Sequence, residues 1–170
     1  MDTNYEWFNS IKVRNVPRLP DHEFDFRNTN TETTHITDTF YGDISATFMG
    51  GVTGTREGAV FDGTDDYIDV TPWTFGGAIT MEAYVKCSEI NKESGIFSFF
   101  DKGGASTNRD KMNMSITSEN YIQISFNSDS TTEQGANSNS LIETNIWVHI
   151  VITNEDTTLK FYINGIGYDS

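Results

Sequence analysis

One cysteine, three prolines and 11 lysines and arginines in 170 residues mark what this sequence has little of. A single thiol, Cys87, makes no internal disulfide, so the fold does not rely on oxidation. No apolar run approaches the ~20 residues that cross a bilayer, which excludes insertion by a membrane helix. The N-terminus lacks the charged-then-apolar pattern of a secretory signal. So few cations stand against 25 acidic residues, a net charge of −14, which argues against nucleic acid and anionic membrane as partners. Also missing is any apolar stripe of helical period with a cap.

What is present has the period of strands. Ile79, Met81, Ala83 and Val85 point one way, and Thr80, Glu82 and Tyr84 point the other. The same alternation runs through Ile44-Ala46-Phe48, Met112-Met114-Ile116, Ile122-Ile124-Phe126 and Leu159-Phe161-Ile163. A longer strand is expected over 146–153, with Val148, Ile150 and Ile152 on one face and Trp147, His149 and Val151 on the other. Shorter strands are expected at Phe24-Asp25-Phe26, Ala59-Val60-Phe61, 67–70 and 96–100. Between them lie turn clusters such as Gly50-Gly51, 62–66, Gly103-Gly104 and Asn164-Gly165. Short strands with frequent turns predict an all-β protein, an antiparallel two-sheet sandwich or jelly roll. Aromatics at 13% supply its core, despite a mean hydropathy of −0.46.

Two stretches, 28–43 and 127–140, are polar enough to be expected as long loops, which at one end of a sandwich often carry binding. Residues 1–20 carry three basic and two acidic side chains, so the remaining 150 hold a net −15. With Trp7, Phe8, Ile11 and Val13 among them, residues 1–20 are expected to be an N-terminal arm that docks, and 21–170 the domain. Pro17 and Pro20 separate the two.

The run Gly58-Ala59-Val60-Phe61-Asp62-Gly63-Thr64-Asp65-Asp66-Tyr67-Ile68 resembles the laminin-G-like, concanavalin A-like jelly-roll superfamily. Ile79 to Lys86 resembles that family's aromatic-bearing "T-x-x-A-W-V-K" strand, with Tyr84 near the aromatic position. Trp147-Val148-His149 is similar to its "W-x-H" strand, and Leu159 to Gly165 to its final N-G hairpin. The resemblance spans roughly 22–166 and implies a concanavalin A-like jelly roll. Family members continue beyond that hairpin, whereas here five residues follow Gly165, so the jelly roll is expected to be incomplete at its C-terminal end, either because the sequence is a piece of a longer chain or because a partner or the N-terminal arm supplies the missing pairing. A hairpin needs a second arm, and the first strand needs a neighbour. Ile11-Lys12-Val13-Arg14, or another chain, is expected to fill the open edge.

The superfamily includes glucanases, whose chemistry requires two carboxylates on one strand face. The nearest approach is Glu23-Phe24-Asp25-Phe26-Arg27, with Arg27 where the second acid should stand, so no enzyme and no catalytic residue is expected. His22, His35 and His149 have neither H-x-x-x-H nor H-E-x-x-H spacing, which leaves catalytic zinc unsupported. Asp62, Asp65 and Asp66 are the candidate metal ligands. Calcium takes six to eight oxygens of the kind such a loop supplies, and calcium-binding relatives strengthen the implication. The alternative that the resemblance implies is that Asp62 and Asp65 only close a turn through side-chain to backbone hydrogen bonds. Asp101, Asn108 and Asn113 with Tyr84 and Tyr121 are the candidate ligand-binding residues. Asp and Asn exchange hydrogen bonds with sugar hydroxyls, and an aromatic face packs on a sugar ring.

The function expected from the resemblance is a non-catalytic surface recognition module that binds glycans, or a protein partner, through a loop rim or an open sheet edge. The alternative is an assembly subunit of a virion or similar particle, held by its arm and by strand exchange in a homo- or hetero-oligomer. Either places the chain on an extracellular or particle surface.

Overall fold

The computed structural model describes residues 10–14, 22–27, 29–73, 78–89, 91–100, 111–127, 134–155 and 158–169. Among them are fifteen strands and no helix. They are β1 (Ser10–Arg14), β2 (His22–Asp25), β3 (His35–Thr37), β4 (Ser45–Met49), β5 (Thr53–Gly54), β6 (Ala59–Val60), β7 (Tyr67–Val70) and β8 (Ile79–Lys86). The remainder are β9 (Ser94–Phe100), β10 (Lys111–Ile116), β11 (Tyr121–Asn127), β12 (Gln134–Leu141), β13 (Trp147–Glu155), β14 (Thr158–Ile163) and β15 (Ile166–Asp169).

A six-stranded sheet runs β15-β14-β13-β8-β1-β2, and a four-stranded sheet runs β12-β11-β10-β9. A three-stranded sheet, β3-β4-β7, and the short pair β5-β6 complete the set. The pairings are antiparallel throughout.

Alternation decides which residues meet. Ile79, Met81 and Ala83 of β8, Val148, Ile150 and Ile152 of β13, and Phe161 and Ile163 of β14 form the inner face of the large sheet. They pack against Met112, Met114 and Ile116 of β10 and Ile122 and Ile124 of β11. Ile150 is 0% exposed. Burying one such side chain contributes roughly 1.5–3 kcal/mol. A second cluster joins Phe24 and Phe26 to Ile44 and Ala46, with Ile36, Phe48, Ile68 and Trp73 packed on it.

Ser10–Arg14 inserts between β2 and β8, with Ile11 opposite Phe24 on one side and Ala83 on the other. The first strand therefore finds its neighbour within the same chain. Ile166–Asp169 supplies the second arm of the last hairpin, where Asn164 and Gly165 both take positive φ, 51° and 80°. Two positive φ values in a two-residue loop match the right-handed twist of the flanking strands.

Two expected loops hold strands. Residues 134–140, expected as part of a polar loop, belong to β12, an edge strand paired with β11. Its polar sequence hides it: Ser138 is buried, and its hydroxyl accepts the Ile122 N–H at 3.0 Å, while Ala136 packs on the core. Within 28–43, residues His35–Thr37 form β3 against β4. The turn that follows is organised by Asp38, 3% exposed. Its Oδ1 accepts the Glu23 N–H at 2.8 Å and its Oδ2 the Tyr41 N–H at 2.8 Å, which ties the turn to β2.

Candidate functional site

The outer face of the six-stranded sheet is built by the residues that alternate with the core. On β8 and β13, Glu82 stands opposite Val151, Tyr84 opposite His149, and Lys86 opposite Trp147. The Tyr84 and His149 rings stack, centroids 4.2 Å apart and planes within 10°. His149 Nε2 lies 3.0 Å from Glu82 Oε1. The His149 N–H donates to Asn164 Oδ1 at 2.9 Å, so the β14–β15 turn holds this position in register. Lys86 Nζ sits 5.0 Å from the Trp147 ring centroid and 3.3 Å from Glu57 Oε2. Tyr162 continues the face on β14, opposite Val151. The result is a line of aromatic rings beside a carboxylate and an ammonium group, on a rigid sheet.

The expected ligand-binding residues are not one group. Tyr84 faces outward from the six-stranded sheet. Asn113, paired with Ser98 and Ser125, alternates with the buried Met112 and Met114 and so faces outward from the four-stranded sheet. Tyr121, two residues from Gln123 in the same alternation, shares that second face. The hydrophobic core separates Tyr84 from Asn113 and Tyr121. Asp101 and Asn108 lie outside the described residues. Sequence reasoning did not join Glu82, Trp147 and His149 to Tyr84. The available signal was the i, i+2 spacing of Trp147 and His149 on one strand and of Glu82 and Tyr84 on another.

Asp62, Asp65 and Asp66 do come together, each offering a carboxylate oxygen within 4.8 Å of the others. Two of the three are engaged with their own loop. Asp62 Oδ1 accepts the Thr64 N–H at 2.7 Å, and Asp66 Oδ2 accepts the Asp62 N–H at 2.8 Å. Asp66, where Asp65 was expected, is thus the second residue that closes the turn. Asp66 Oδ1 is buried against the Gly50–Gly51 turn. A Cβ on Gly50, at φ +76°, would stand 2.6 Å from the Asp65 carbonyl oxygen. Only glycine fits there, both by backbone conformation and by space. This rim offers oxygen donors alone, the set that calcium takes.

The remaining candidates are engaged elsewhere. Asp25 is held by the Arg27 guanidinium, whose Nε lies 2.7 Å from Asp25 Oδ1. Glu23 is two strands from Glu82, with Lys12 between them in register. Neighbouring strands lie about 4.8 Å apart, so these two carboxylates start about twice that apart. Retaining glycosidases hold their pair at about 5–5.5 Å and inverting ones at about 6.5–9.5 Å, so this spacing departs from the retaining geometry only. Burial pushes the half-buried Cys87 thiol above its ordinary pKa, which makes it a poor nucleophile at neutral pH.

Residues 62–170, about two thirds of the chain, match the laminin G type family described as the concanavalin A-like lectin/glucanases superfamily. No curated protein matches the chain. Among solved structures, it is similar to an S-layer domain-containing protein from Clostridium thermocellum. That likeness has a TM-score of 0.46 and 25% identity, over 84% of this chain and 68% of that one.

Proposed function

From a chain that belongs to the concanavalin A-like lectin/glucanases superfamily, we propose a non-catalytic recognition module that binds glycans on the outer face of its six-stranded sheet. The observation that carries this reading is the Tyr84–His149 stack with Glu82 hydrogen-bonded at its edge. A sugar presents apolar C–H faces and a rim of hydroxyls. The first pack on aromatic rings, and the second bond to carboxylate and imidazole. The engagement of Asp25 by Arg27 supports a site that holds a glycan without cleaving it. Such a module works on an extracellular or particle surface, where glycans are displayed. Calcium at Asp62, Asp65 and Asp66 is the ion proposed for the loop rim.

The test is glycan-array binding by the folded chain, in calcium and then in chelator, with glucan hydrolysis followed in parallel. Binding to a defined sugar that Tyr84→Ala weakens, with no hydrolysis, supports the reading. Loss in chelator assigns calcium a part in it. A folded sample that binds no glycan overturns the reading and favours the alternative, an assembly subunit of a virion or similar particle. In that alternative a partner must engage an edge other than the one β1 fills.

A further inference from the structure

At the start of β2 the His22 ring is enclosed, its side chain 11% exposed, with Trp73 edge-on at 4.9 Å between centroids and Tyr41 at 6.3 Å. Its Nδ1 atom is buried and makes no hydrogen bond. That nitrogen faces Asp38 Oδ2 at 3.6 Å, and the Asp38 side chain is 0% exposed. The arrangement is uncompensated in either neutral tautomer. With the ring proton on Nε2, a nitrogen lone pair confronts a carboxylate oxygen in a place closed to water. With the proton on Nδ1, the separation is too long for a hydrogen bond. Asp43, exposed at the end of the same turn, brings a carboxylate oxygen, so that one donor atom from each of His22, Asp38 and Asp43 lies within 4.8 Å of the others.

We propose that His22, Asp38 and Asp43 form a binding site for a divalent transition cation of the zinc class. Bonds of about 2.1 Å to nitrogen and oxygen at the tetrahedral angle separate two ligand atoms by about 3.4 Å, close to the gap between His22 and Asp38. The cation takes the buried lone pair that nothing else satisfies. Asp38 is already fixed as a ligand should be: its Oδ1 accepts the Glu23 N–H and its Oδ2 the Tyr41 N–H, while Oδ2 stands 3.6 Å from His22 Nδ1. The imidazole nitrogen selects zinc-class ions over calcium and magnesium, which prefer oxygen alone. Three protein ligands leave a fourth position for water. The bound ion would clamp the start of β2 to the β3–β4 turn. This site is separate from the all-oxygen rim at Asp62, Asp65 and Asp66.

The experiment is calorimetric titration of the chelator-stripped chain with Zn2+, with the visible absorption of added Co2+ as a second readout. One equivalent is expected to bind, to raise the melting temperature, and to resist displacement by equimolar Ca2+. His22→Gln and Asp43→Asn should each weaken Zn2+ by ~10–100-fold or more, at least the loss that follows removal of a group supporting a ligand. Asp43 is exposed, so its variant keeps the fold even if His22→Gln does not. His35→Gln, at an exposed histidine on β3, should change nothing. Failure of the wild-type chain to take up one equivalent overturns the proposal. So does unchanged Zn2+ affinity in Asp43→Asn.

Discussion

Replacing Asp38 by alanine removes the acceptor for two backbone N–H groups, those of Glu23 and Tyr41, each bonded at 2.8 Å. A third, from Phe40 at 3.4 Å, is longer and weaker. A buried donor left without its partner costs about 1–3 kcal/mol. Both bonds are part-buried and Tyr41 is 67% exposed, so the lower end applies to each and the loss for Asp38→Ala is about 2 kcal/mol, a sizeable share of the ~5–15 kcal/mol that holds a domain together. With a urea slope of about 2 kcal/mol per molar, the midpoint should fall by about 1 M. Asp38→Asn keeps one carbonyl acceptor and turns an NH2 toward the other donor, so it should lose about half as much. Urea unfolding followed by tryptophan fluorescence, in chelator, reads both. Charge adds a pH signature. Burial alone would raise the Asp38 carboxyl, but the N–H groups of Glu23, Tyr41 and Phe40 and the facing His22 together hold it below its ordinary value. A folded pKa below the unfolded one gives stability that is present above the unfolded value and lost as pH falls through the folded one. The gap between wild type and Asp38→Asn should therefore close as the solution is taken from pH 7 down through that range. An Asp38→Ala midpoint within ~0.3 M of wild type, or a gap indifferent to pH, would refute the account of this turn.

Other substitutions probe the remaining parts of the structure. Ile150→Ala, at a fully buried position between the two main sheets, should cost about 2–5 kcal/mol in the same urea experiment. Gly50→Ala meets both a positive φ and the Asp65 carbonyl, so a loss of more than ~1 kcal/mol is expected, with chemical-shift changes at Asp62 and Asp66 by NMR. Cys87 should react with a maleimide more slowly at neutral pH than a free thiol, and unfolding in urea should abolish the difference.

Strands whose two faces differ were readable from the residues alone. Ile79 to Lys86 and Trp147 to Thr153 alternate because one face carries the apolar core side chains and the other polar and aromatic ones, although Thr80 of that second face is also buried. The Asn164-Gly165 pair was readable for a different reason, since few other residues take two positive φ values in succession. Gln134 to Leu141 was not, because an edge strand stabilised by backbone pairing and a buried serine leaves almost no apolar trace. The candidate sites divide the same way. Asp62, Asp65 and Asp66 are neighbours in sequence and so in space. Tyr84 and Tyr121 are equally aromatic, but only sheet pairing reveals that they face opposite sides of the sandwich. His22 and Asp38 meet across a strand and a turn, and no short spacing rule describes that kind of contact.

The place of β1 in the six-stranded sheet has a consequence for the order of assembly. Strand β2 reaches β8 only through β1, and the partners Ile11 and Ala83 are separated by most of the first half of the chain. During synthesis the β1–β2 hairpin must wait, one edge unpaired, until residues 79–86 have emerged. Contacts that close such long loops are slow to form, and an unpaired edge in the interval invites other strands. Maturation of the N-terminal third is thereby timed by the appearance of β8. A ribosome stalled before residue 79 would hold a nascent chain whose first hairpin has no sheet to join.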